Sequence, residues 1–384
     1  MDSAGIYEVA VVGGGPAGSS AAFRLARQGF NVCLIEKKTF PRETLCGEFI
    51  SREATEILNS LGLFKKFLML HPNPIHSFSF ILSDGRKLKT SLNFTGYGLK
   101  RGSLDNFLLK SAIKEGIDLL QPASAKEISQ TSQGYALSVL TPKGTLKLLA
   151  KNVIAAYGRQ SPLDRELKRD FTGIKTRLNG LKLHVPCQFA PNFPEDEIHI
   201  YVGKGIYCGV NRVDRQTLTV CFLEDRTDYE PPPRVRLKEL ISMNRSFKEI
   251  FSPDIFTILD SLPVYGTGNI YFGKRNCVEN GIFMAGDAAR VIAPLSGDGI
   301  AMALQSAELA CEAVSQKLQN KLGEKDAENF YTHNYRKLFS PRLRTALLLQ
   351  KTILKPDLSK PAYFAAKMFP GLLSYFINST RGII

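Results

Sequence analysis

The chain contains no tryptophan, only five histidines among 384 residues, and no apolar run of the ~18 residues that a membrane-crossing helix needs. The missing tryptophan excludes any motif built on that residue. The histidines, at positions 71, 76, 184, 199 and 333, form no cluster, so none is assigned a catalytic or ligating role. Seven cysteines, at 33, 46, 187, 208, 221, 277 and 311, are odd in number and scattered. No Cys-x-x-Cys pair or Cys/His zinc spacing occurs, which excludes a disulfide scaffold, argues against structural metal and points to a reducing compartment. There is no internal repeat or low-complexity tract. The longest charge-free apolar stretch, Met368 to Thr380, is broken by Pro370 and Gly371. The opening residues lack the basic stretch of a signal peptide, so the expected location is cytoplasmic.

What is present is ordinary in bulk: 44% hydrophobic and 22% charged residues. Such a length suggests two or three domains, or one interleaved pair. The net charge is +14. From Tyr335 to Ile384 there are nine basic residues and one acid, Asp357. That segment is also apolar. It reads as a surface resting on anionic membrane, as a cap over a lipid-like substrate, or as a solvated helical cap. Nucleic acid is not expected, because no interleaved aromatic and basic motif appears.

The first forty residues carry the densest signal. Tyr7–Gly13 is a β-branched apolar run ended by glycine, expected as a buried parallel strand. Gly13, Gly15 and Gly18 form Gly-x-Gly-x-x-Gly, with Pro16 and Ala17 between them. Ser19–Gln28 reads as a helix and Asn31–Glu36 as a second buried strand ending in an acid. Gly13 permits the tight turn, Gly15 lets a pyrophosphate approach the backbone, and Gly18 lets the helix pack on the strand. The helix N-terminus offers unpaired N–H groups to phosphates. Glu36 lies where an acid accepts hydrogen bonds from a ribose. This α/β start binds a dinucleotide but does not choose between NAD and FAD.

Three later motifs do choose. Phe40–Glu48 reads FPRETLCGE. Leu99–Asp105 reads LKRGSLD, with Ser103 a plausible N-cap for a helix at 104–114. Gly281–Ala307 reads GIFMAGDAARVIAPLSGDGIAMALQSA. With these the chain, over roughly residues 5 to 320, resembles the p-hydroxybenzoate-hydroxylase-like FAD-dependent oxidoreductases, in particular their geranylgeranyl reductase-like branch. The resemblance implies an FAD-binding Rossmann-like domain of the GR2 type (1–72, 98–180 and 265–322). Interleaved with it comes a mixed β-sheet substrate domain (73–97 and 181–264), and a basic helical region (323–384) follows. It implies FAD contacts from Gly13, Gly15, Pro16, Ala17, Gly18, Glu36 and Lys37. Arg42, Cys46, Gly47, Arg101 and Gly158 follow, then Gly286 and Asp287 of the GD motif. The resemblance also places Pro294 beside the flavin ring and has Gly297, Asp298, Gly299 and Ile300 open a helix toward it. Cys46 and Glu48 are the catalytic candidates, as residues steering or donating a proton. No metal is expected.

One motif departs from the family pattern. Tyr157 stands where the resemblance places an aspartate, while Gly158 and Ser161 are kept. That counts against NADPH-driven hydroxylase chemistry and leaves FAD binding intact. The resemblance places short strands between 78 and 224 in a sheet that supplies the substrate wall, with Tyr201, Tyr207, Cys208, Cys221 and Phe222 as wall residues or, alternatively, plain sheet core. Helices are expected at 235–243, 325–339, 342–353, 363–368 and 372–377.

The resemblance then implies an oxidoreductase moving hydride between flavin N5 and a carbon–carbon double bond of a hydrophobic, polyprenyl-like substrate. The electron donor is NAD(P)H or a separate reductase. The alternative is a monooxygenase hydroxylating an aromatic or polyketide-like substrate through a C4a-hydroperoxide. Arg290, where hydroxylases usually carry histidine, speaks against it. A tryptophan-halogenase WxWxIP motif is impossible without tryptophan, and a non-catalytic FAD-binding protein is the remaining class. Fold resemblance by itself does not decide among these.

Overall fold

β1 (Tyr7–Val12) is buried at its last four positions and runs into the glycine turn and α1 (Pro16–Arg27). β2 (Val32–Ile35) returns parallel to it, with Val9 opposite Val32 and Val12 opposite Ile35. α1 begins at Pro16, ahead of the expected Ser19, because proline's fixed φ and missing N–H suit a first turn. The computed structural model describes residues 6–226, 231–369, 371, 375 and 379–381. The helix expected at 372–377 falls, apart from residue 375, outside them.

Around this unit lies a first sheet. β6 (Asp118–Leu120) pairs parallel with β2, and β9 (Gly144–Ala155) pairs parallel with the other side of β1. β16 (Ile282–Met284) is parallel to β9, and β15 (Val278–Glu279) closes that edge antiparallel. The order is β15-β16-β9-β1-β2-β6. β7 (Ser124–Thr131) and β8 (Gly134–Thr141) extend β9 as an antiparallel ribbon. α1 packs against α4 (Arg101–Lys114) and α9 (Gly299–Leu318).

The second sheet has β3 (Phe49–Ile50), β4 (Asn73–Ile81), β5 (Lys87–Gly98), β10 (Leu178–Pro186), β11 (Glu197–Gly203), β12 (Ile206–Arg212), β13 (Thr217–Asp225) and β14 (Val264–Thr267). Its order is β14-β10-β13-β12-β11-β4-β5-β3, antiparallel except for β11 beside β4. β3 lies within the segment expected in the first domain, yet it joins this second sheet opposite Tyr97 and Gly98. One face of the sheet packs on α6 (Pro233–Met243), α7 (Arg245–Glu249) and α8 (Ile255–Ile258) through Leu237, Ile241 and Phe247. The other face looks back toward the first sheet. The remaining short helices are α2 (Arg52–Ser60), α3 (Phe64–Leu68) and α5 (Pro162–Glu166).

Three local expectations are corrected. Ser103 does not cap α4, which starts at Arg101. The Arg101 N–H is instead taken by the Glu48 carboxylate at 2.8 Å, so a distant loop terminates the helix. The tail helices expected at 325–339 and 342–353 are one, α10 (Glu324–Leu354), with Pro341 inside it. An interior proline costs a helix roughly 3 kcal/mol. Here Tyr335 and Phe339 before it and Leu343 and Ala346 after it are all buried, and that packing carries the helix through. α11 (Pro356–Met368) follows, starting earlier than the expected 363.

Candidate active site

A cavity of about 850 Å³ lies between the two sheets. Its polar end is built by the first βα turn. Gly13 has φ +106°, and a Cβ there would come within 2.4 Å of Ala156 O, so only glycine turns the chain at this point. Gly15, Pro16 and Ala17 line the cavity with Gly13. Gly18 does not. A Cβ on it would lie 1.7 Å from Gly13 O, so its role is close packing of α1 on the turn, a correction to its expected cofactor contact.

Glu36 is 3% exposed. Its two carboxylate oxygens accept from Gly14 N at 2.6 Å and Lys38 N at 2.7 Å, which fixes it at the cavity wall beside Lys37. Arg42 reaches back over this turn, with Nη2 3.5 Å from Asp105 and 3.7 Å from the space a Gly15 Cβ would fill. Arg101 forms a two-pronged pair with Asp105 at 2.9 and 3.1 Å. Both arginines line the cavity.

The 46–48 loop lies against the same space. Cys46 Sγ accepts from Glu48 N at 3.2 Å, and Gly47 lines the wall between them. Glu48 sits at φ +57° with no exposure. Lys182 Nζ is 2.8 Å from one of its oxygens and His184 Nε2 is 2.6 Å from the other. Lys182 also holds Glu43 at 2.6 Å. Burial alone would raise the Glu48 carboxyl, but the hydrogen bonds and charge of His184 and Lys182 override it and bring it to about 2. Glu48 is therefore a fixed carboxylate at neutral pH, not the proton donor expected of it. Glu43, Glu48 and His184 have the spacing of a cation site, but the Lys182 ammonium already occupies that role among them.

Gly158, Gly286 and Asp287 line the facing wall. Tyr157 points its hydroxyl at Asp164 (2.8 Å) and Arg169 (3.1 Å). Burial raises this phenol, and the Asp164 charge adds to the shift against the opposing pull of Arg169. Pro294, Gly297, Gly299 and Ile300 line the next stretch, at the start of α9. Asp298 does not join them. It is fully buried and turned the other way, paired with Arg342 of α10 and accepting from Ser51 Oγ at 3.4 Å. Burial pushes its carboxyl up to about 6, Arg342 and Arg381 holding it down and Glu53 adding to the rise.

The far end of the cavity is apolar. Phe78, Phe80 and Leu88 come from β4 and β5, Ile200 from β11, and Ile353 and Tyr363 from the tail. Of the expected wall residues, Tyr207, Cys221 and Phe222 line it, whereas Tyr201 and Cys208 face the opposite core with Val210. The Tyr207 hydroxyl is buried against the Leu295 backbone, and burial raises it well above a free phenol despite the opposing pull of that backbone group.

The sequence reading missed Lys182, His184, Asp105 and Asp164. Only the first two left a usable signal. They are polar residues two apart on one face of a strand whose other face, Leu183 and Val185, is buried.

The polar end fits a pyrophosphate-bearing dinucleotide. α1 has no acidic residue in its first turn and no side-chain cap, so its first N–H groups are left uncapped by any side chain, with Glu36 held on Gly14 N behind them. Arg42 Nε, 3.9 Å from a Glu36 carboxylate oxygen, is buried beside them without a hydrogen bond. The comparisons with known proteins agree. The chain is 25% identical over 352 residues to conditioned medium factor receptor 1 of Dictyostelium discoideum, a match that covers 84% of this chain and 66% of that protein. It is 24% identical over 411 aligned residues to the digeranylgeranylglycerophospholipid reductase of Methanococcus vannielii, covering 96% of this chain and 97% of the relative. The p-nitrophenol 4-monooxygenase of Pseudomonas putida DLL-E4 superposes with a TM-score of 0.79 at 19% identity, over 98% of this chain and 99% of the other. Residues 6–334, a span that takes in both sheets and every wall of the cavity except the tail, match the family model described as FAD binding domain, and the chain belongs to that family with FAD as its cofactor.

Proposed function

We propose that this protein is an FAD-dependent reductase or dehydrogenase that moves hydride to or from a carbon–carbon double bond of a hydrophobic, polyprenyl-like or other lipid-like substrate. The observation that carries this reading is the two-ended cavity: arginines and glycines at one end, and Phe78, Phe80, Leu88, Ile200 and Ile353 at the other. The relative from Methanococcus vannielii, named for a lipid with geranylgeranyl chains, supports the substrate class.

Bound FAD supplies the hydride chemistry at flavin N5. The chain's residues supply the rest. Gly13 and Gly15 admit the pyrophosphate, and Arg42 and Arg101 place positive charge beside it. Glu36 presents its remaining lone pairs to a ribose. Gly297 and Gly299 bring the N-terminus of α9 against the cavity, where it favours negative charge, the N-cap carboxylate of Asp298 being turned away and paired with Arg342. The aromatic and aliphatic walls exclude water from an alkene. Tyr207 holds its proton in this apolar section, and Cys46 adds a thiol at its edge, so both are candidates for protonating the second carbon. Glu48 holds the negative charge that keeps Lys182 and His184 in place.

The test is anaerobic. Protein reduced by light or dithionite is mixed with a polyprenyl alkene, and the product mass and flavin absorbance are followed. Reoxidation of the flavin with gain of two hydrogens by the alkene supports the reading. Reduced protein that ignores every alkene, yet hydroxylates an aromatic compound once air is admitted, replaces it with the monooxygenase.

A further inference from the structure

α11 is apolar on two opposite faces. Inward, Ser359, Tyr363 and Ala366 are buried, and Tyr363 and Ala366 line the apolar end of the cavity. Outward, Leu358 and Phe364 are each 47% exposed, Met368 is 74% exposed and Phe369 just beyond is 64% exposed. Large apolar side chains grouped on an outward helix face mark a surface that something else covers. Lys355, Lys360 and Lys367 are exposed on the same short segment, against one acid, Asp357.

We infer that the outer face of α11 docks on an anionic lipid surface, and that the helix serves as both the membrane contact and the wall of the cavity nearest the lipid. Three observations select this occupant. Large apolar side chains rimmed by lysines match the acyl boundary and headgroup charge of an anionic leaflet. A second copy of the chain on this face would bring together two helices that each carry three exposed lysines and one acid, a net like charge that opposes association. The inner face of the same helix already lines an apolar cavity, so lipid outside and cavity inside are one helix apart. No helix among the described residues is long and apolar enough to cross a membrane, so the contact lies on the surface. The docking rests on exposure and charge alone. Entry of a lipid substrate beside α11 rests in addition on the reductase reading above.

The experiment is co-sedimentation of the full-length holoprotein with vesicles of phosphatidylcholine alone, and of phosphatidylcholine and phosphatidylglycerol in equal parts. FAD absorbance and circular dichroism serve as fold controls. The expected result is binding to the mixed vesicles, weak binding to the neutral ones, and loss of binding in high salt. Phe364→Glu/Met368→Glu and, separately, Lys360→Glu/Lys367→Glu each weaken partition roughly tenfold or more with flavin content unchanged. Wild-type protein that ignores the mixed vesicles, or binding that both pairs leave intact, overturns the proposal. So does a dimer in sedimentation velocity that Phe364→Glu dissociates. Vesicle binding does not depend on turnover, so it fails or stands apart from the reductase reading. If binding holds while no alkene is reduced, only the substrate-entry clause falls.

Discussion

The Tyr157 hydroxyl lies 2.8 Å from Oδ1 of Asp164, seven residues further along the chain. The family resemblance places an aspartate at 157 itself. Here the acid is set back behind a phenol, inside a capping box at the start of α5, and is held by Arg169 at 3.0 Å. The negative charge at this corner is thus committed to the protein interior. Tyr157→Phe removes one partner of Asp164 but leaves Arg169. The expected cost is about 1 kcal/mol of stability by denaturant unfolding, with FAD affinity changed less than threefold. A large loss of FAD by fluorescence titration points instead to a direct cofactor role for the hydroxyl.

Gly15 and Gly18 separate cofactor binding from folding. Gly15→Ala meets nothing closer than Arg42 Nη2 at 3.7 Å, so the melting temperature should hold. FAD affinity should fall about tenfold, equal to ~1.4 kcal/mol. Gly18→Ala drives a methyl into Gly13 O and costs more than about 4 kcal/mol, seen as insoluble or unfolded protein. Equal melting temperatures for the two variants would sink the distinction.

Glu48 and Lys182 are a buried pair whose halves are worth more together than apart. Glu48→Gln should cost about 3 kcal/mol, and Glu48→Gln/Lys182→Met less than the two single changes added. The sign with pH follows from the depressed carboxyl. Its contribution is complete above the ordinary value of 4.5 and is lost as pH falls through about 2. The stability gap between wild type and Glu48→Gln, from urea unfolding at a series of pH values, should therefore close on acidification. A gap that widens in acid contradicts the ion pair.

Asp298 runs the other way. Its carboxyl is raised from 3.8 to about 6, so the folded state holds that proton more tightly than the unfolded chain. Its contribution favours folding in acid and is lost as pH rises through about 6. Wild type should lose stability relative to Asp298→Asn across that window. A flat difference would show that Arg342 fully offsets the burial.

The start of the fold was legible because its signals are local. A buried strand, a glycine turn, a helix and Glu36 are each set by neighbours within a few residues. The strand-turn-helix order at Ile282–Ile300 was readable for the same reason. The Glu48 cluster was not, because Lys182 and His184 lie 134 and 136 residues away and reach Glu48 only once β10 takes its register in the second sheet. The resemblance counts Asp298 among the FAD contacts with its glycine neighbours. One residue along a helix start rotates a side chain by about 100°, and that rotation sends it to Arg342 instead. The break expected at Pro341 failed because burial on both sides outweighs the local cost.

The cavity's walls appear in a fixed order during translation. The turn at Gly13, the second sheet and the start of α9 all leave the ribosome before Ile353, Tyr363 and Arg381, which line the remaining side. The nucleotide end is thus assembled while the apolar end is still open to water. Domains fold as units from the N-terminus onward. The apolar wall from β4, β5 and β11 is thus synthesised well before α10 and α11, the segments that complete the cavity beside it.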